Sequence, residues 1–147
     1  MEHKILRKEF SARPTDTGSI EGYASTWDRE PDSYGDVVAR GAFTETLKEW
    51  RDSGRAIPFL WAHEMHELGA YIGTAEADED DRGLHFTATF DDTKDAQRVR
   101  QLYMDGRLAK FSFAYEVLES GDVTLEDGRK ANELRKLRLY EISAVAV

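Results

Sequence analysis

The chain has 147 residues, with 29 acidic against 20 basic side chains and a net charge of −9. This length suits a single domain, 1–147, able to bury about 70% of the surface its unfolded form exposes. The acidic balance argues against nucleic acid as a partner, and the lack of cysteine excludes disulfides, a thiol nucleophile and thiolate metal ligands. No apolar run approaches a transmembrane length and the first residues lack a signal-peptide core, so a soluble, intracellular protein without membrane contact is expected.

His3 lies in a polar start that suggests no chemistry. Residues 19–27 alternate like a strand, with Ile20 on one face and Tyr23, Ser25 and Trp27 on the other. A turn-rich loop, 28–36, follows around Pro31 and Gly35. Residues 42–52 read as a short helix, because Phe43, Leu47 and Trp50 recur at helical spacing and Gly54 supplies a stop. Residues 57–62 are apolar, but Pro58 removes a ladder donor, which places the segment at a sheet edge or a strand start.

Residues 69–77 and 83–90 form an expected hairpin across an acidic tip. In its second strand Leu84, Phe86, Ala88 and Phe90 alternate with His85, Thr87 and Thr89. A second helix takes Asp92 or Thr93 as its cap, Ala96, Val99, Leu102 and Tyr103 as its apolar stripe, and Gly106 as its end. Residues 111–117 follow as a strand with an aromatic face. A polar excursion around Gly121 and Asp127-Gly128 then leads to one or two closing strands over 134–147. The expected fold class is mainly β or α+β: a small mixed or antiparallel sheet, curled towards a β-barrel, with flanking helices.

Three residues carry candidate chemistry. His63 follows an apolar strand and shares a face with Phe59 and Trp61 by alternation. It is either an imidazole packed on Trp61 and satisfied by the backbone, or one presented to a groove by a rigid scaffold. His66 lies three residues further on, one short of the spacing in helical zinc motifs, and no third ligand is near, so no metal site is expected.

Ser112 stands between Phe111 and Phe113 and therefore points to the opposite face, with Ala114 and Glu116. It is a solvated hydroxyl or a nucleophile on a rigid element. No strand-turn-helix elbow surrounds it, which excludes the α/β-hydrolase arrangement. Glu141 sits among apolar residues of the last strand, where a carboxylate must be paired. Its partner is either the nearby Arg138 or an imidazole, the latter as the orienting member of a serine-type triad.

Several segments occur in a telling order: Ile20-Glu21-Gly22-Tyr23-Ala24-Ser25, Gly35-Asp36-Val37-Val38, Arg40-Gly41-Ala42-Phe43 and Ile57-Pro58-Phe59-Leu60-Trp61-Ala62-His63. Ile72-Gly73, Gly83-Leu84, Phe111-Ser112-Phe113-Ala114-Tyr115 and Leu139-Tyr140-Glu141-Ile142-Ser143 continue it. Together, over about residues 19–145, they resemble the tailed-phage prohead proteases. These are capsid-maturation serine peptidases whose fold is similar to that of the herpesvirus assembly proteases.

The resemblance implies a herpesvirus protease-like fold in which Ser112 is the nucleophile, His63 the base and Glu141 the acidic third member. It implies no metal and no organic cofactor. The implied partners are the scaffolding segment of the phage major capsid protein, or a separate scaffold, the portal-containing prohead and the protease itself. The implied setting is the host cytoplasm, inside the assembling prohead.

Dimeric herpesvirus relatives imply self-association as a homodimer or higher oligomer, with an exposed Tyr103 on the second helix as a contact. An extended substrate is expected to add to a sheet edge beside Ser112. The rival reading is a non-catalytic capsid-assembly or scaffolding module that keeps the protease fold. Two departures stand out. Phe113 and Ala114 occupy positions near which family members carry a glycine. The family's last strand also runs on into a proline-containing tail, so the end at Val147 implies trimming or self-processing.

Overall fold

Alternating segments and two amphipathic stripes become eight strands and two α-helices in a computed structural model that describes residues 5–146. His3 and the chain end at Val147 lie outside the described residues. The elements are β1 (Ile5–Pro14), β2 (Ile20–Thr26), β3 (Asp36–Val38), α1 (Thr44–Ser53) and β4 (Ile57–Trp61). After a 3-10 turn at Leu68–Ala70 come β5 (Tyr71–Glu79), β6 (Gly83–Phe90), α2 (Lys94–Met104), β7 (Lys110–Thr124) and β8 (Lys130–Val145). Among the described residues no helix is long and apolar enough to cross a membrane.

Hydrogen-bonded neighbours run β8-β4-β5-β6-β2-β1-β7, and β7 returns to β8, so seven strands close a barrel. β3 adds to β8 in parallel outside the ring. The expected curled sheet is therefore closed into a ring, with edges left only where strands overhang their neighbours, as at β3 and at Ile5–Ser11 of β1. Phe111 and Phe113 point into the barrel. Tyr103 of α2 stacks on Phe111 with ring centroids 4.4 Å apart, and Phe10, Phe59 and Phe86 surround the same ring.

Helix ends follow the local chemistry. Thr93 is the cap of α2, its Oγ1 accepting from the Ala96 N–H at 3.2 Å, and α1 stops at Gly54 with φ 71°. α1 lies along β8, where Thr46 Oγ1 accepts from the Leu139 N–H (3.0 Å) and the Trp50 indole donates to the Leu139 carbonyl (2.9 Å).

Three expectations change and a fourth is met in one of its two forms. A β-bulge between Tyr23 and Ser25 resets the alternation of β2, so Trp27 is buried with Ile20 and Ala24 rather than facing out with Tyr23. β4 is flanked on both sides rather than lying at an edge, and Pro58 sits at its start, the other position expected for it. Pairing with β8 begins only at Phe59, where a ladder N–H is next required. The polar excursion is a continuation of β7 and β8 as one long hairpin to Thr124 and Lys130, with Val37, Leu125 and Ala131 in a small apolar cluster at its tip. Tyr103 is not exposed: it is 3% accessible and its hydroxyl donates to the Lys110 carbonyl at 2.7 Å. The helical spacing that puts it on the apolar stripe buries it, so it nominates no surface for self-association.

Closure also makes Gly73 indispensable. A Cβ there would sit 1.9 Å from the Thr89 carbonyl oxygen on β6. Gly73→Ala is expected to lower stability by ~3 kcal/mol, because backbone rather than a flexible side chain must move. The urea midpoint of the purified variant checks this.

Candidate active site

Directly opposed residues of an antiparallel ladder share a face. Ser112 on β7 is opposite Ser143 on β8 and Glu9 on β1, while Ala114 is opposite Glu141 and Arg7. All of these lie on the barrel's outer face, because Phe111, Phe113 and Tyr115 fill the inner one.

Strict alternation along β8 would group Glu141 with Leu137 and Leu139, which are core residues. A bulge prevents this. Ala114 pairs with Glu141 but Tyr115 pairs with Leu139, so Tyr140 is surplus and the faces switch between Leu139 and Glu141. The two α1 side chains that hold both backbone groups of Leu139 stabilise the strand beside this switch. Tyr140 in turn donates to Glu116 at 2.8 Å, and Arg138 pairs with Glu116 at 3.1 Å. Arg138 is thus spoken for elsewhere, and the ion-pair alternative for Glu141 does not form.

His63 arrives from the other side of β8. β4 runs parallel to β8 through Leu60 opposite Ser143 and Trp61 opposite Ala144, and the Ala62 N–H donates to the Ala144 carbonyl at 2.8 Å. The backbone then turns left-handed twice, at Ala62 (φ 53°) and His63 (φ 60°). Neither residue is glycine, so each conformation costs about 1–3 kcal/mol and has to be held by its surroundings. The turn ends the alternation of β4, so His63 does not share the inward face of Phe59. Its ring lies instead over the outer face of β7 and β8.

There the imidazole bridges the other two candidates. His63 Nε2 is 2.9 Å from Ser112 Oγ, and Nδ1 is 2.5 Å from Glu141 Oε1. A carboxylate only accepts, so this contact puts the ring proton on Nδ1 and leaves the Nε2 lone pair facing the serine hydroxyl. The group is shielded: Ser112 is 2% exposed, Glu141 1% and the His63 side chain 7%. With both ring nitrogens engaged and His66 exposed on the following loop, the two histidines do not converge.

Ser143, which sequence reasoning did not single out, completes the cluster. Its Oγ accepts from the His63 backbone N–H at 3.1 Å and donates to Glu141 Oε2. Its spacing of two from Glu141 was the available signal, since it puts both on one strand face.

Residues 6–147 match the sequence model of the caudovirus prohead serine proteases. The chain belongs to this family. The enzyme class is accordingly a serine-type peptidase. Its fold is similar to the solved structure of the bacteriophage T4 capsid assembly protease, gp21, with a TM-score of 0.68 over 99% of this chain and 98% of that one, at 10% sequence identity. No curated protein sequence matches it.

Phe113 and Ala114 stand where the resemblance implies a nearby glycine. Phe113 turns inward and stacks on Tyr115 at 4.9 Å, while the small Ala114 faces the cleft. β7 has no free edge at Ser112, because β1 and β8 pair with it on both sides there. Among the described residues, however, Ile5–Ser11 of β1 beside it pair with β7 alone, and β2 joins β1 only at Ala12–Pro14, so the outer edge of β1 is open. An open cleft lies beside this edge. A recess of about 660 Å³ is walled by Ile5, Tyr34, Met65, Val117 and His63, and adjoins one of about 590 Å³ that contains Ser112 and Arg7. Ile5, Tyr34 and Met65 are exposed apolar side chains, and Arg7 has no ion-pair partner among the described residues.

One wall of this cleft is tied down by charge. Lys8 on β1 bonds Asp32 and, at 3.1 Å, Asp36, clasping β1 to the loop that carries Tyr34. Burial is the largest single influence and opposes the charge on Lys8, but the hydrogen bonds to Asp32 and Asp36 and the attraction of Tyr115 and Asp32 together outweigh it and hold the ammonium above its ordinary 10.5. Burial also opposes ionisation of Asp32, yet Lys8 and the Asp36 amide hold its carboxyl below 3.8.

A lowered carboxyl contributes stability that disappears as pH falls through its folded value, and a raised ammonium one that disappears as pH rises through its own. Lys8→Met is therefore expected to be less stable than wild type at pH 7. The difference should shrink below pH 3.8 and above pH 10.5. Urea titrations of both proteins at three pH values check this.

Proposed function

We propose that this prohead protease is a serine endopeptidase that cuts the scaffolding segment of the phage capsid protein, and itself, inside the assembling prohead. The observation that carries the reading is the single imidazole standing between Ser112 Oγ and Glu141 Oε1 at 2.9 and 2.5 Å.

In this reading His63 Nε2 takes the Ser112 proton as Oγ attacks a peptide carbonyl, and the imidazolium then protonates the leaving amine. Water, deprotonated by the same nitrogen, releases the acyl group and restores the serine. Glu141 holds the Nδ1 proton in place and stabilises the charged ring. Base assistance of this kind contributes about 10²–10⁴-fold. The apolar wall of Ile5, Tyr34 and Met65 suits an apolar substrate side chain, and Arg7, without an ion-pair partner among the described residues, adds a positive charge to the cleft.

Co-expression with the cognate capsid protein tests the proposal. The capsid subunit is expected to appear at a discrete, shorter mass when the chain is present. A full-length subunit in assembled proheads that contain the chain would overturn the reading in favour of a scaffolding module.

A further inference from the structure

Ser143 has no part in a three-residue mechanism, yet it touches two of the three residues. Its hydroxyl is committed to the His63 backbone and to Glu141, and the His63 ring faces Ser112 rather than Ser143, so it is not the nucleophile. Its hydroxyl is used twice at once. The lone pair takes the His63 backbone N–H and the proton goes to the second oxygen of Glu141.

Each bond answers a separate need. The His63 N–H belongs to a consecutive pair of left-handed, non-glycine residues, Ala62 and His63, whose strained backbone needs an external anchor. Ser143 on β8 supplies a fixed acceptor for it. Glu141 is buried, and its Oε1 is committed to His63, so Oε2 requires a donor of its own. Without one, the carboxylate is free to rotate and present a different oxygen, at a different distance, to Nδ1.

We infer that Ser143 is a positioning residue of this peptidase, one hydroxyl that sets the imidazole backbone and the carboxylate in a common frame. The inference rests on the proposed roles of Ser112, His63 and Glu141. It assigns to Ser143 the precision of the 2.9 Å contact between Nε2 and the serine. Because the lone pair and the proton of the same oxygen are both in use, a movement of either partner is passed to the other.

A fluorophosphonate probe reads the outcome. Ser112 Oγ forms the bond to phosphorus, fluoride leaves, and His63 takes the proton. Labelling of the wild-type chain at Ser112, mapped by mass spectrometry, is the reference, and its absence would sink the triad reading itself. With that reference in hand, Ser143→Ala is expected to label roughly 10–100-fold more slowly at saturating probe, the range typical when the partner that orients a metal-ligating histidine or carboxylate is lost, a relation Ser143 shares towards His63 and Glu141. Amide exchange at His63 should accelerate in the same variant, since its acceptor is gone. Ser143→Thr, which keeps the hydroxyl, should recover most of the rate. A Ser143→Ala rate within about twofold of wild type would overturn the inference and leave the triad standing. Equal losses in both variants, with a lowered thermal midpoint and unchanged His63 exchange, would make Ser143 a packing residue only.

Discussion

Capsid subunits co-expressed with the Ser112→Ala variant are expected to keep their full mass, whereas the wild-type chain shortens them. On a peptide spanning the cut, kcat/KM should fall by roughly 10⁴–10⁶-fold, the range seen when a serine-type nucleophile is removed. Nearly all of the loss should appear in kcat, because the Ser112 hydroxyl is 2% exposed and contributes little surface to ground-state binding. Adding His63→Ala to the Ser112 variant should cost nothing further. In the proposed mechanism the imidazole acts only through the serine proton, and residues that work as a unit are not additive. A second loss of similar size in the double variant would mean that His63 serves some other nucleophile.

Glu141→Gln should reduce kcat by roughly 10²–10⁴-fold, with KM little changed. The amide has two ways to sit. With its NH₂ towards His63 it forces the ring proton onto Nε2, where the imidazole can no longer accept from Ser112. With its NH₂ towards Ser143 the carbonyl still receives Nδ1–H, but the charge that stabilises the imidazolium is gone. Ser143 already accepts the His63 N–H, so the second orientation asks its oxygen to accept twice and leaves its own proton unplaced. Neither choice reproduces the carboxylate. Peptide kinetics give the magnitude, and the imidazole N–H proton resonance distinguishes the two orientations. A variant with wild-type kcat would show that the charge of Glu141 is not used.

The candidate residues themselves were legible in the chain. Ser112 between two phenylalanines has to face away from them, as it does, because strand alternation is a local property of the backbone. Both helices were legible for the same reason: their stripes, the Gly54 stop and the Thr93 cap are written within a few residues. Glu141 could be identified as a carboxylate in need of a partner, and the ordered segments that include His63, Ser112 and Glu141 carried the family resemblance.

What places those residues together is not local. Leu139 and Glu141 are two apart and by alternation belong on one face, yet one fills the core and the other meets His63, because Tyr140 is surplus in the pairing with β7. No property of residues 137–145 taken alone announces that bulge; the register against β7 and the hold of α1 on Leu139 decide it. The left-handed turn at Ala62 and His63 has no glycine or asparagine to signal it, and it persists because β8 supplies the Ala144 carbonyl and the Ser143 hydroxyl as anchors. Closure of the barrel also depends on β7 meeting β1 and β8, partners about a hundred and about thirty residues away. Sequence by itself determined which side chains could do the chemistry and which way their own strands would point them. The shared frame in which they meet was decided only by long-range pairing, since register and bulges are properties of two strands and not of one.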